Sequence, residues 1–187
     1  MDMGTAGTIE AWVWSEGVDG MVFNKWREIQ EDKQLVVLGG GVSGFAWDGG
    51  AGGYVDSGTC VLPEGAWAHA AFVWDGTGRR IYVDGELCGS DSVVLDVRNS
   101  TGPAHIGGIY RDSQQVPPMQ GFLRQVRLSG VARYSTDFTP ADLSTDADTL
   151  ALWALDEAAG TSAADGSGNG NTGTISGATW APVPCTP

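Results

Sequence analysis

The stretch from Trp67 to Cys88, W-A-H-A-A-F-V-W-D-G-T-G-R-R-I-Y-V-D-G-E-L-C, constrains the fold of this chain more than any other. Between Trp67 and Trp74, alternation puts Trp67, His69, Ala71 and Val73 on one face and Ala68, Ala70, Phe72 and Trp74 on the other. Both faces are largely apolar, so the segment reads as a strand covered on both sides. Asp75-Gly-Thr-Gly78 supplies residues that tolerate the positive φ of a tight hairpin. Arg80–Val83 is the return strand, and Asp84-Gly85 turns the chain again before Glu86–Cys88. A three-stranded meander of this kind needs further strands to close around it.

The rest of the sequence offers them. Thr8–Trp14 alternates, with Ile9, Ala11 and Val13 on one face and Glu10, Trp12 and Trp14 on the other. Met21–Trp26, Gln34–Leu38, Gly44–Asp48, Val93–Val97, Ala104–Tyr110, Gly121–Leu128, Thr149–Glu157 and Thr174–Trp180 also read as strands. Arg27–Lys33 is short, charged and without an apolar face, which fits a hairpin tip better than a helix. Strict alternation puts Phe122, Arg124, Val126 and Leu128 on one side, where Arg124 does not belong. About twelve strands without a βαβ rhythm predict an all-β fold, a two-sheet antiparallel β-sandwich. A chain of 187 residues suits one such domain.

The net charge of -13 disfavours nucleic acid and anionic lipid as partners, because the field repels phosphate. No apolar run of 18 residues is present, so no membrane-inserted helix is expected. The first residues lack the basic and apolar regions of a signal peptide, and the chain reads as a piece of something larger. Three cysteines, Cys60, Cys88 and Cys185, form no C-x-x-C pair, which argues against zinc. Cys60 and Cys88 flank the meander and could form a disulfide or remain as two small buried hydrophobes.

Candidate chemistry is sparse. Glycosidases need two carboxylates a few ångströms apart across the scissile bond, and no well-formed strand carries E-x-D spacing. Asp156 and Glu157 are adjacent and so point to opposite faces. His69 lies mid-strand with no nucleophile elbow nearby. The loop Asp165-Gly-Ser-Gly-Asn-Gly-Asn171 offers a carboxylate and two amide oxygens, at Asp165, Asn169 and Asn171. With Asp156 these could ligate Ca²⁺, which favours oxygen donors; the alternative is an Asx-turn loop that satisfies its own backbone. Trp26, Trp47, Tyr54 and Tyr110 fall near strand ends and loops, where an aromatic ring can stack on the apolar face of a sugar or join the core.

The motif Trp67–Leu87 resembles the centre of bacterial laminin-G-like, concanavalin A-like jelly-roll domains. So do I-E-A-W-V at Ile9–Val13, I-G-G at Ile106–Gly108, and G-F-L-R-Q-V-R-L-S-G-V-A-R-Y at Gly121–Tyr134. Leu150–Trp180 resembles the opening strands of that family, here displaced to the far end of the chain. The resemblance implies a single jelly-roll sandwich over residues 5–182. In it, 149–182 fold back to supply strands usually found at the N-terminus, the alternative being that they begin a second domain, and 183–187 form a tail. Relatives often carry an acidic pair where this chain has Leu123-Arg-Gln125, so a metal role there does not transfer. The expected function is non-catalytic extracellular recognition of carbohydrate or a protein surface, with possible Ca²⁺ assistance. A structural spacer is the alternative, and a glycoside hydrolase or polysaccharide lyase comes last.

Overall fold

The computed structural model describes residues 3–27, 30–47, 52–95, 102–108 and 117–182. Six strands form one antiparallel sheet: β1 (Gly7–Ser15), β6 (Trp67–Asp75), β7 (Gly78–Val83), β8 (Glu86–Asp91), β10 (Gly121–Ser129) and β11 (Thr149–Trp153). Their order across the sheet is β11-β10-β1-β6-β7-β8. A second antiparallel sheet holds β2 (Gly20–Arg27), β3 (Gln30–Leu38), β4 (Gly41–Trp47), β5 (Gly52–Val61) and β9 (Ala104–Ile106), in the order β5-β4-β3-β2-β9. A small ribbon pairs β12 (Ser162–Ala163) with β13 (Gly173–Thr174). Among the described residues there is no helix. The fold is the two-sheet antiparallel β-sandwich that the alternation predicts, of the jelly-roll type that the resemblance implies.

The core lies between the two sheets. Ile9, Ala11 and Val13 of β1, Phe72 and Trp74 of β6, and Val126 and Leu128 of β10 face Leu35, Val37, Val42 and Ala46 of the other sheet. The sheets approach so closely at Gly44 that a Cβ there would stand 2.3 Å from the Phe72 ring. That crowding fixes which face of β4 is inward: Val42, Gly44 and Ala46 point to the core, so Ser43, Phe45 and Trp47 point out.

Arg124 finds its explanation in a β-bulge. Glu10 pairs with Arg127 but Trp12 pairs with Arg124, so β10 spends three residues where β1 spends two. Gln125 takes up the extra residue at φ 50°. The strand therefore changes face between Arg124 and Val126. Phe122 and Arg124 lie on the outer face, with the Arg124 guanidinium 4.9 Å from the Trp12 ring centre and 5.1 Å from that of Trp67. Strict alternation could not show this, because one inserted residue reverses every later position.

Three other expectations need correction. Val93–Leu95 is irregular, and residues 96 and 97 lie outside the described residues. Of the strand expected over Thr174–Trp180, only Thr174 pairs, with Ser162. The tip expected at Arg27–Lys33 is narrower, because β2 runs to Arg27 and β3 begins at Gln30.

Cys60 and Cys88 form a disulfide with their Cα atoms 5.7 Å apart. They belong to β5 and β8, the edge strands of opposite sheets. The bond therefore stitches the two layers together along one side of the sandwich. Backbone meets backbone there: a Cβ on Gly89 would lie 1.8 Å from the Asp56 carbonyl oxygen.

Candidate ligand-binding site

The outward face of the five-stranded sheet carries the best candidate. Phe45 pairs with Tyr54, and Ser43 with Asp56, across β4 and β5. Trp47 lies two residues beyond Phe45 on the same face. Trp47 is 39% exposed and Tyr54 is 44% exposed. The Phe45 ring props Tyr54 edge-on, with centroids 4.8 Å apart. Four residues of strand separate Ser43 from Trp47, about 13 Å at the usual rise. The face thus offers two exposed rings, a supporting third and a polar pair in one line.

Beside this line the chain makes a groove of about 540 Å³. It is lined by Leu38, Ser43, Tyr54, Asp56, Ser57 and Val61, together with the glycine turn between β3 and β4. Its outer wall is a large bulge in β5. Gly41 pairs with Val61 and Ser43 with Asp56, so residues 57–60 loop out of the ladder. Ser57 holds that loop in place: its hydroxyl accepts the Val42 amide at 3.0 Å and donates to the Cys60 carbonyl at 2.7 Å. The opposite wall is held by Asp19, whose carboxylate accepts the Gly39 amide at 2.8 Å. Ser43 donates to Asp56 Oδ1 at 2.6 Å, and Asp56 is exposed.

Of the four aromatic candidates, Trp47 and Tyr54 thus share one outward face. Trp26 falls within β2, but its side chain lies outside the described residues, as does Tyr110 altogether. Sequence reasoning missed Ser43 and Asp56. The signal was present, since Ser43, Phe45 and Trp47 alternate and Tyr54 and Asp56 alternate. What could not be read was the pairing register that lays the two rows side by side.

The Asp165–Asn171 loop serves the sheet edge. Asp165 Oδ1 accepts the amides of Leu152 and Ser167, and Oδ2 accepts the amide and the side-chain nitrogen of Asn171. Burial pushes this carboxyl upward, but its hydrogen bonds to Ser167, Asn171 and Leu152 outweigh that and hold it down at about 2. The Asn169 amide nitrogen donates to the Thr149 and Leu150 carbonyls, and that of Asn171 to Leu150. The loop thus satisfies the free edge of β11 with its side chains. Both asparagines present donors inward, and the four acceptor positions of Asp165 are filled, so the set does not fit a Ca²⁺ ion. Among the described residues no group of three or more His, Cys, Asp or Glu side chains converges as a metal site. Asp156 lies just beyond β11, in an irregular segment.

A second polar cluster lies on the outer face of the six-stranded sheet. Glu10 accepts hydrogen bonds from Arg127 at 2.8 Å and Tyr134 at 2.8 Å, and its Oε2 is 3.0 Å from His69 Nε2. Burial opposes the charge, yet the His69 hydrogen bond and the Arg127 guanidinium hold the carboxyl below its ordinary value. Tyr134 stacks on Phe138 with centroids 3.5 Å apart, and both lie across His69. Glu10 and His69 have no exposed surface, so this cluster offers nothing for a substrate to reach.

Comparison with known proteins agrees with this architecture. Residues 1–137 match the laminin G model of the concanavalin A-like lectin/glucanases superfamily. The chain belongs to that superfamily. No curated protein matches the sequence. Among solved structures, a putative carbohydrate binding protein from Bacteroides ovatus superposes with a TM-score of 0.70 at 20% identity, covering 90% of this chain and 51% of that one. Domain 4 of an extracellular GH43 arabinanase from Geobacillus stearothermophilus, solved with arabinotriose, gives 0.55 at 22% identity, over 68% of this chain and 62% of that one. The LG4-5 domains of mouse laminin α1 give 0.56 at 17% identity, over 80% and 41%. The chain thus spans about half the length of the Bacteroides protein. At these identities the likeness establishes the fold.

Proposed function

We propose that this chain is a non-catalytic carbohydrate-binding module, a recognition unit of a larger extracellular protein, that holds glycan on the outward face of its five-stranded sheet. The observation that carries this reading is the shared face of Trp47 and Tyr54, both exposed, beside a groove with Ser43 and Asp56 at its floor. Flat rings stack on the C–H faces of sugars, and carboxylate and hydroxyl groups bond the hydroxyls. The carbohydrate-binding description of the Bacteroides neighbour and the arabinotriose bound to the arabinanase domain point the same way. The disulfide favours an oxidising compartment. In this reading residues 5–182 act as one unit, with β11 as the sixth strand of its larger sheet.

The test is a panel of plant and bacterial polysaccharides titrated against the chain. At least one glycan is expected to bind, and Trp47→Ala and Tyr54→Ala each weaken it about tenfold while circular dichroism stays unchanged. Binding is expected to be the same with added Ca²⁺ as with a chelator, given the filled carboxylate of the Asp165 loop. Glycan binding indifferent to both aromatic substitutions would move the site elsewhere.

A further inference from the structure

The polar lining of the groove narrows the saccharides it accepts. Asp56 is exposed at the floor, and its Oδ1 is fixed by the Ser43 hydroxyl, which is itself 3% exposed. Its other oxygen can only accept, so it suits a ligand that donates, such as a sugar hydroxyl. Among the described residues, no Lys, Arg or His lines the groove. Two described cations nearby, Lys33 of β3 and Arg79 of the facing sheet, are engaged on the inner side of the five-stranded sheet. Lys33 lies 5.5 Å from the Trp74 ring centre. Arg79 donates to the Gly53 carbonyl at 2.6 Å and pairs with Asp91. A carboxylate or sulfate brought into the groove would face Asp56 with no countercharge, within the field of a chain carrying a net charge of -13.

We infer that the groove takes uncharged glycans and rejects those bearing uronate or sulfate groups. This rests on the carbohydrate reading above and adds the charge class of the ligand. Asp56 is the residue that sets it, through one free oxygen that rewards hydroxyl donors and repels anions.

The experiment titrates the whole chain with neutral oligosaccharides from the panel and with the same oligosaccharides oxidised at C6 to uronates. The neutral forms are expected to bind at least about tenfold more tightly at low salt, with the gap shrinking as salt screens the repulsion. Asp56→Asn keeps an acceptor for Ser43 but removes the charge. It should weaken the neutral ligand about fivefold and bring the oxidised one close to it. Equal affinity of the natural chain for both forms overturns the inference and leaves the carbohydrate reading standing. So does an Asp56→Asn variant with unchanged selectivity. Failure of every neutral oligosaccharide to bind overturns the carbohydrate reading, and this inference with it.

Discussion

Glu10 sits in the middle of β1 with no exposed surface, and its carboxylate is shared by His69, Arg127 and Tyr134. Removing the carboxylate leaves the buried Arg127 guanidinium without its counterion and takes a hydrogen-bond partner from His69 and Tyr134. Glu10→Ala is expected to cost about 3 to 5 kcal/mol, or about 10 °C in Tm for a chain of this size, measured by calorimetry. The sign of the acid response follows from the same residues. Glu10 titrates below its ordinary 4.5, and Asp165 falls from 3.8 to about 2. The native state therefore binds these protons less readily than the unfolded chain. The stability they contribute is full above about pH 4.5 and is lost as pH falls through the native values. Urea midpoints should drop between pH 4 and 2, and Asp165→Asn should flatten part of that slope. At this scale alternation rightly put Glu10 on the face opposite Ile9. It could not show that the segment after β10 covers that face, since Tyr134 and Phe138 contact His69 only once the chain has folded.

Among the elements, β5 and β10 each depart from the ideal ladder, and each departure has a structural consequence. The β10 bulge at Gln125 puts Arg124 outside and Val126 inside. The β5 bulge at 57–60 builds the groove wall and brings Cys60 to Cys88. Replacing both cysteines by serine should lower stability by about 3 kcal/mol, the closure entropy of a loop of this length. Because Cys60 also lines the groove, the double variant should lose glycan affinity well below its Tm. Unchanged affinity in the folded variant would show that Ser57 alone holds the wall. Gly44→Ala should destabilise by about 1 to 3 kcal/mol, since its Cβ would strike Phe72. The positions of Cys60 and Cys88 around the meander allowed either a disulfide or two buried thiols, and the fold makes the disulfide. The bulges were not legible, because the extra residues, one in β10 and three in β5, leave composition and hydrophobicity almost untouched.

For the whole molecule, the sandwich was the most legible feature. The doubly apolar Trp67–Trp74 strand required two layers, and the alternating segments around it supplied them. The site was half legible: Trp47 and Tyr54 were visible as aromatics at strand ends, while Ser43 and Asp56 became partners only through register. The edges of the two sheets are managed differently. On one side β5 and β8 lie against each other under a disulfide. On the other, the Asp165–Asn171 loop occupies the outer side of β11, taking up Leu152 N–H and the carbonyls of Thr149 and Leu150. Asp165→Ala should raise light scattering on gentle heating before any loss of tryptophan signal, because it bares that strand. In the intact chain the loop works as a stopper. With those groups taken up, the β11 edge offers a second copy no open ladder, so crowding the chain does not seed fibres through that strand.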